Sequence, residues 1–513
     1  MNPSLMDTTS PRPSLWQRST TRRVVRSRVF RGIVFVIFCL VTLAFLALAE
    51  ENWRGRRAWE KFRQEWEAKG ERFDMASLIP KPVPPEQNFT MTPFLAPLLD
   101  YEFVGGKMHF HDSNAVARAH VTIQGGKDST TKIPSTGNWM NGTFCDLKAW
   151  QTFYQNNTNF PANPQPSDPA HDVLVALQKF DPVLTELRAA SQRPYAFFPV
   201  HYADGFVVLL PHLANLKSLP QVLALRASAN LEANQSEAAL ADINLAFHFA
   251  KSLQSEPLLI SQLVQLSIVQ ISTQPVWEGL ARHRWTDAQL QELQKTLASL
   301  DLLEDYGVAM RGERACNNEG MAQIRSGRVS DDKVVPKPLR ILIPTGLLYQ
   351  NQLAIDRLYQ EFTLPAVDAA QHRVHPEKCG TNIVESVLKK RTPYNMFAWM
   401  LFPAYGNAAE RFARTQTSVD LATVACALER YRLANNKYPE TLDDLTPKFI
   451  TKLPPDVING QPLKYRLDES GQPVIYSVGW NQKDDGGLVV LTKGSTPSVD
   501  PNKGDWVWQY PAK

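Results

Sequence analysis

Hydrophobic and polar positions alternate differently in successive stretches of the chain, and each stretch predicts its own element. Gly32 to Ala49 is a run of 18 apolar residues without a charge, bracketed by Arg31 and Glu50. As a helix rising 1.5 Å per residue it covers roughly 27 Å, enough to cross a hydrocarbon core. No second run is long enough to span. Beyond it Trp59, Phe62 and Trp66 recur at helical spacing within 52–73, so a short amphipathic helix is expected to leave the bilayer. Its apolar face reads either as a collar for lipid or a partner, or as packing on the chain's own body. Pro80, Pro82, Pro84 and Pro85 then make a stiff spacer.

Residues 100–170 look mixed. YEFVGGKMHF (101–110) and AHVTIQGGKD (119–128) each place β-formers before a Gly-Gly, predicting short strands that end in turns. Four prolines in the polar stretch 156–170 mark a boundary. From 171 to 330 the pattern is helical. Thr286 and Gln289 form a capping box ahead of a stripe of Leu290, Leu293, Leu297 and Leu300. Residues 223–253 read as two antiparallel helices with a turn at Ala233-Asn234-Gln235. The spacing of Ala227, Ala239, Ile243 and Ala246 resembles one tetratricopeptide-like helical hairpin. In 331–404, prolines interrupt Val334 to Leu347 and helical patterning resumes near 350. Asn395 to Tyr405 is strongly apolar yet too short to cross a bilayer, so it reads as a core segment or a membrane-surface contact.

The C-terminal stretch predicts one long helix from Ala408 to Leu433, carrying Phe412, Leu421, Val424, Leu428 and Tyr431. Asn435-Asn436 and Pro439 end it, Asn by taking a left-handed cap. A short helix at 441–445 follows, then strands at Lys464-Tyr465, Pro473 to Gly479 and Leu488 to Thr492. The fold class is therefore α+β and multi-domain. It comprises a basic tail (1–31), a transmembrane helix (32–49), a juxtamembrane helix with a Pro-rich spacer (50–99) and a mixed region (100–170). A helical domain (171–330), a helical connector (331–404) and a module of one long helix on a small antiparallel sheet (405–513) complete it.

Charge adds an orientation. The chain of 513 residues has a net charge of +4, but residues 1–31 hold seven arginines and one acid. The positive-inside bias puts that tail in the cytoplasm and the bulk of the chain across the membrane. The remainder is close to neutral, which argues against a nucleic-acid partner. Ala47-Leu48-Ala49 also fits a signal-peptidase site, and Thr21-Arg22-Arg23 faintly echoes a twin-arginine signal. The length of the apolar run favours an uncleaved anchor. Of the five cysteines, Cys39 lies in that run. Cys145, Cys316, Cys379 and Cys426 have room for one or two disulfides, with no pairing legible.

The C-terminal fifth of the chain resembles the major pseudopilin of type II secretion systems. The matching residues are Tyr431, Asn435-Asn436-Lys437-Tyr438-Pro439, Leu442, Leu445, Leu453-Pro454, Asp456, Tyr465, Tyr476-Ser477-Val478-Gly479 and Asp484-Asp485-Gly486-Gly487. The resemblance implies a bacterial inner-membrane protein with a periplasmic body, and an association with type II secretion or pilus-like machinery. In this chain the membrane run lies far upstream of the module, so polymerisation into a pseudopilus is not expected. The resemblance also implies calcium at the Asp484-Asp485 loop. Lys483 inside that loop favours a solvated turn instead.

No catalytic, cofactor or metal residue is assigned. His109, His111 and Asp112 lack a third convergent ligand for a metal. Gly125-Gly126-Lys127-Asp128-Ser129 misses the first glycine of a phosphate loop, and Asp128 would repel phosphate. His372 and His375 with Cys379 could form a thiol–imidazole cluster, though a surface loop explains them more simply. The sequons at Asn88, Asn141, Asn156 and Asn234 are expected to be silent in a bacterium. Two functions follow. The first is an anchored, non-catalytic scaffold whose partners are the lipid bilayer and other envelope proteins. The alternative is an extracytoplasmic hydrolase with a site assembled from scattered residues such as His201, Asp204 and His212. One deep pocket with converging acid and histidine groups would favour the hydrolase, and a flat or grooved surface the scaffold.

Overall fold

The structure, a computed structural model, describes residues 28–511 apart from 105–106, 125–131, 328–342, 380–387, 389, 406 and 494–497. The basic tail before Arg28, the 125–129 loop and most of Val334 to Leu347 lie outside the described residues. The anchor and the juxtamembrane segment form one uninterrupted helix, Arg28–Glu67. Its most apolar 18-residue window has a mean hydropathy of 2.9, and none of that window is buried. A single helix of this kind is consistent with a single-pass membrane protein. In the polar half, ion pairs Arg56–Glu60 and Lys61–Glu65 at i,i+4 carry the helix on past the apolar run.

That polar half packs on the protein's own body. It lies along helix Thr345–Leu358, and two glycines let the backbones touch. A Cβ on Gly346 would sit 2.4 Å from the Glu51 carbonyl oxygen, and one on Gly55 2.5 Å from the Gly346 oxygen. The Gly346 N–H donates to Asn52 Oδ1 at 2.7 Å, and Trp59 Nε1–H to the buried Asp356 Oδ2 at 2.8 Å. Trp59, Phe62, Phe73 and Leu353 close a small apolar cluster around these bonds. Of the two readings of the aromatic stripe, the structure has the second: Trp59 and Phe62 are spent on internal packing. Trp53 stays exposed, with the Arg57 guanidinium over its ring.

The body is mixed helix with small antiparallel sheets. Helices His212–Glu232, Ser236–Ser252 and Leu259–Ala281 lie against one another, and Asp287–Ala298 and Leu302–Ser326 extend the layer. The turn between the first two falls at 233–235, with Asn234 at φ +59°. The capping box forms: Gln289 N–H donates to Thr286 Oγ1, and Thr286 N–H to Gln289 Oε1 at 3.0 Å. One hydrophobic core draws on residues from Met75 to Trp508.

Helix Ala408–Asn435 runs through this core and ends at Asn436, which takes the left-handed cap at φ +57°. Strands Lys464–Leu467, Pro473–Ser477 and Trp506–Trp508 form one antiparallel sheet in that order. The strand at Val489–Leu491 pairs separately with Val499–Gly504. The long helix touches Pro473–Ser477 and Trp506–Trp508 on one side. Helices Leu259–Ala281, Asp287–Ala298 and Leu302–Ser326 cover the others. The sheet is therefore not its only cover, and from Ala408 to Arg430 it is buried almost all round. Upstream, Tyr101–Val104 and Lys107–Phe110 pair as the expected hairpin. In the described part of the second expected segment, 119–124, no strand forms: Asp112 caps helix Ser113–Ala119, accepting from Ala115 N–H at 2.8 Å, and Val121 and Ile123 enter the core as irregular chain.

Candidate functional site

Polar and apolar side chains converge in a groove of about 610 Å³ whose floor is helix Ala408–Asn435. Gln416, Val419, Asp420, Thr423 and Arg430 lie on its floor, spaced so that they share one helical face. One wall is helix Asp287–Ala298 with Leu300 and Asp301, and the other is the irregular chain from Phe449 to Pro455. Arg430 ties the three together. It donates to Asp287 Oδ1 at 2.8 Å, and to Gln294 Oε1 and the Phe449 carbonyl at 3.0 Å each.

His372 closes one end. It sits on the turn between strands Val367–Asp368 and Arg373–Val374 at φ +52°, a left-handed conformation that a non-glycine residue keeps only when its surroundings hold it. What holds it is Asp420: His372 Nε2–H donates to Asp420 Oδ2 at 2.8 Å. Gln416 Nε2 donates to the other carboxylate oxygen at 2.9 Å, and its own Oε1 accepts the Leu302 N–H at 2.9 Å. Burial disfavours the charged imidazole, but the Asp420 carboxylate outweighs it and raises the His372 pKa. A raised histidine pKa stabilises the folded state fully below the ordinary value near 6.5 and loses that contribution as pH rises through the raised value. Deprotonation is therefore expected to loosen the 367–374 hairpin by about 1.5–3 kcal/mol, the scale of a hydrogen bond to a charged group. The protection factors of that hairpin, the intrinsic base-catalysed exchange rate divided by the observed rate, should fall as pH rises above about 6.5, and Asp420→Asn should abolish that fall. An unchanged profile in the variant would refute the assignment.

Among the described residues, His372 makes no hydrogen bond to a serine, threonine or cysteine, and Thr423 Oγ1 donates to its own helix at Val419 O. The pair thus holds an imidazole in place without activating a nucleophile among the described residues.

The other sequence candidates lie apart. His375 Nδ1 pairs with Glu377 at 3.0 Å, while the Cys379 thiol points to the His375 carbonyl at 3.3 Å, so the thiol–imidazole contact is not made. All five cysteines are free, and burial raises the Cys316 and Cys379 thiols to about 12. His212 is fully buried, bonded to Glu256 at 2.7 Å and stacked on Phe198. His201 instead lies exposed beside Tyr101, so His201, Asp204 and His212 do not form one site. His111 turns off the strand to Asp100 at 2.6 Å, away from His109. No group of three or more His, Cys, Asp or Glu placed to hold a metal occurs among the described residues. Asp484 accepts from Tyr476 and from the Gly486 N–H and pairs with Lys464, while the Asp485, Gly487 and Leu488 N–H groups converge on Asp505. Asn88 is buried and bonds the backbone at Phe197.

Sequence reading missed the groove's key pair. The sequence singles out His372 only beside His375 and Cys379, and Asp420, 48 positions on, belongs to no motif. Comparison with family models, curated proteins and solved structures gave no match to this chain.

Proposed function

We propose that the protein is a single-pass bacterial inner-membrane protein whose periplasmic body is a scaffold for other envelope proteins, in the setting of type II secretion or pilus-like machinery. The observation that carries this reading is the junction at Gly55 and Gly346. The membrane helix enters the body without a flexible joint, which fixes the height and orientation of the body on the bilayer. An enzyme tethered for access alone needs no such joint, whereas a scaffold that presents a surface to neighbouring membrane proteins does. The seven arginines before Gly32 support a cytoplasmic N-terminus. A reporter active only in the periplasm, fused after residue 513, is expected to be active. An inactive reporter on a stable fusion would reverse the topology. Crosslinking in intact cells should give discrete hetero-complexes, and long homopolymers sheared from the surface would restore the pilin reading.

The alternative of a hydrolase has less behind it, because His201, Asp204 and His212 do not converge and no serine, threonine or cysteine is bonded to His372 among the described residues.

A further inference from the structure

We propose that the groove between helix Asp287–Ala298 and the chain from Phe449 to Pro455 binds an extended, acidic peptide segment of a partner protein. This deepens the scaffold reading and rests on it. Dimensions select the occupant. From Gln416 to Arg430 the floor helix advances roughly 21 Å at 1.5 Å per residue. A volume of about 610 Å³ spread over roughly 21 Å leaves a mean cross-section of roughly 30 Å². A helix with its side chains is about 10–12 Å across and does not fit. A single extended strand does, and at about 3.3 Å per residue six residues fill the length.

The walls supply what such a strand needs. Thr451, Lys452 and Leu453 make no backbone hydrogen bond within the described residues, and Thr451 and Lys452 are exposed. Thr451 and Lys452 lie in a bend, and the N–H and C=O groups of all three are open to hydrogen bonds from a bound chain. Across from them Gln291 and Lys295 stand exposed on the helical wall. Ile450 and Leu453, half-buried in the wall, give apolar contacts for alternate side chains. Charge sets the preference. Asp420 is spent on His372 and Arg430 on Asp287, while Lys295 and Lys452 have no carboxylate partner among the described residues. Against them stands only Asp301, whose Oδ1 caps helix Leu302–Ser326 through the Glu304 N–H. Two open ammonium groups favour a ligand carboxylate.

The test uses the full chain in detergent and fluorescein-labelled heptapeptides of alternating leucine and alanine with a central aspartate, lysine or alanine. The aspartate peptide is expected to bind about tenfold more tightly than the lysine peptide by fluorescence anisotropy. Lys295→Glu with Lys452→Glu should reverse that order. Thr423→Trp, which fills the floor, should abolish binding of all three while far-UV circular dichroism stays unchanged. No binding by any peptide, or the same preference in the double variant, overturns the proposal. Hetero-complexes recovered by crosslinking alongside peptides that do not bind would overturn the groove and leave the scaffold. Peptides that bind alongside no hetero-complex would overturn the scaffold alone.

Discussion

Replacing Asp242 with alanine is expected to cost about 3–5 kcal/mol of folding stability, the usual penalty for stripping the partner from buried charges. Asp242 lies on helix Ser236–Ser252 and is completely buried. Its carboxylate pairs with Arg188, accepts from Arg226 Nε at 3.3 Å and from Asn230 Nδ2 at 3.2 Å. Arg226 reaches on to Asp181, so one carboxylate joins three helices. Burial pushes the acid toward neutrality, and the two guanidinium groups act against that. Alanine would leave Arg226 largely buried beside a void with only the half-exposed Asp181. Asp242→Asn keeps the shape and some hydrogen bonding, so it should cost less. Urea denaturation followed by circular dichroism would rank the variants against Glu65→Ala, which removes one end of an exposed pair and should leave the midpoint unchanged. An Asp242→Ala midpoint equal to that control would show that the network contributes nothing.

How far the sequence could be read depended on the range of the interaction. Local chemistry was legible: the Thr286–Gln289 box, the turn at 233–235 and the left-handed Asn436 are set by neighbours three or four positions away. The long apolar helix was legible because 18 uncharged residues in a row leave no other regular element. The surroundings of helix Ala408–Asn435 were not. Thr415, Gln416, Thr417, Ser418 and Asp420 carry no hydrophobic signal, yet all are buried. The Thr415 and Ser418 hydroxyls donate to their own helix at the Arg411 and Arg414 carbonyls, while Gln416, Ser418 and Asp420 meet partners far away in sequence, the Leu302 N–H, Gln270 and His372; hydrophobic periodicity carries no trace of such pairs. Helix Leu259–Ala281 shows the same effect, with Gln265 bonded to Asp305 and Glu278 accepting the Cys145 N–H. The groove is assembled from four segments, so its existence depends on packing that no single segment encodes.

Substituting Gly346 by valine is expected to separate the membrane helix from the body. Any Cβ there meets the Glu51 carbonyl oxygen at 2.4 Å, and the obstacle is backbone on an unbroken helix, which cannot yield as a side-chain tip would. Forced overpacking of this kind costs about 3 kcal/mol at the upper end of its usual range, which corresponds to roughly a hundredfold faster hydrogen exchange. The acceleration should appear in 52–67 and 345–358 together and spare helix Leu259–Ala281. Trp59→Phe should weaken the same contact by about 1–3 kcal/mol, since it leaves the buried Asp356 without its indole donor. Burial raises Asp356 to about 7, against the partial relief of the Trp59 hydrogen bond and Arg314. An acid whose folded pKa is raised binds more protons folded than unfolded, so the junction should weaken as pH climbs from the ordinary 3.8 to about 7 and then level off. Gly32→Val changes a glycine with nothing within 4 Å and serves as the control. If the fixed junction is what makes the body a scaffold, Gly346→Val should stay inserted in the membrane yet lose its crosslinks to envelope partners. Crosslinks retained at full yield, with exchange accelerated as described, would show that the partners need only the tether.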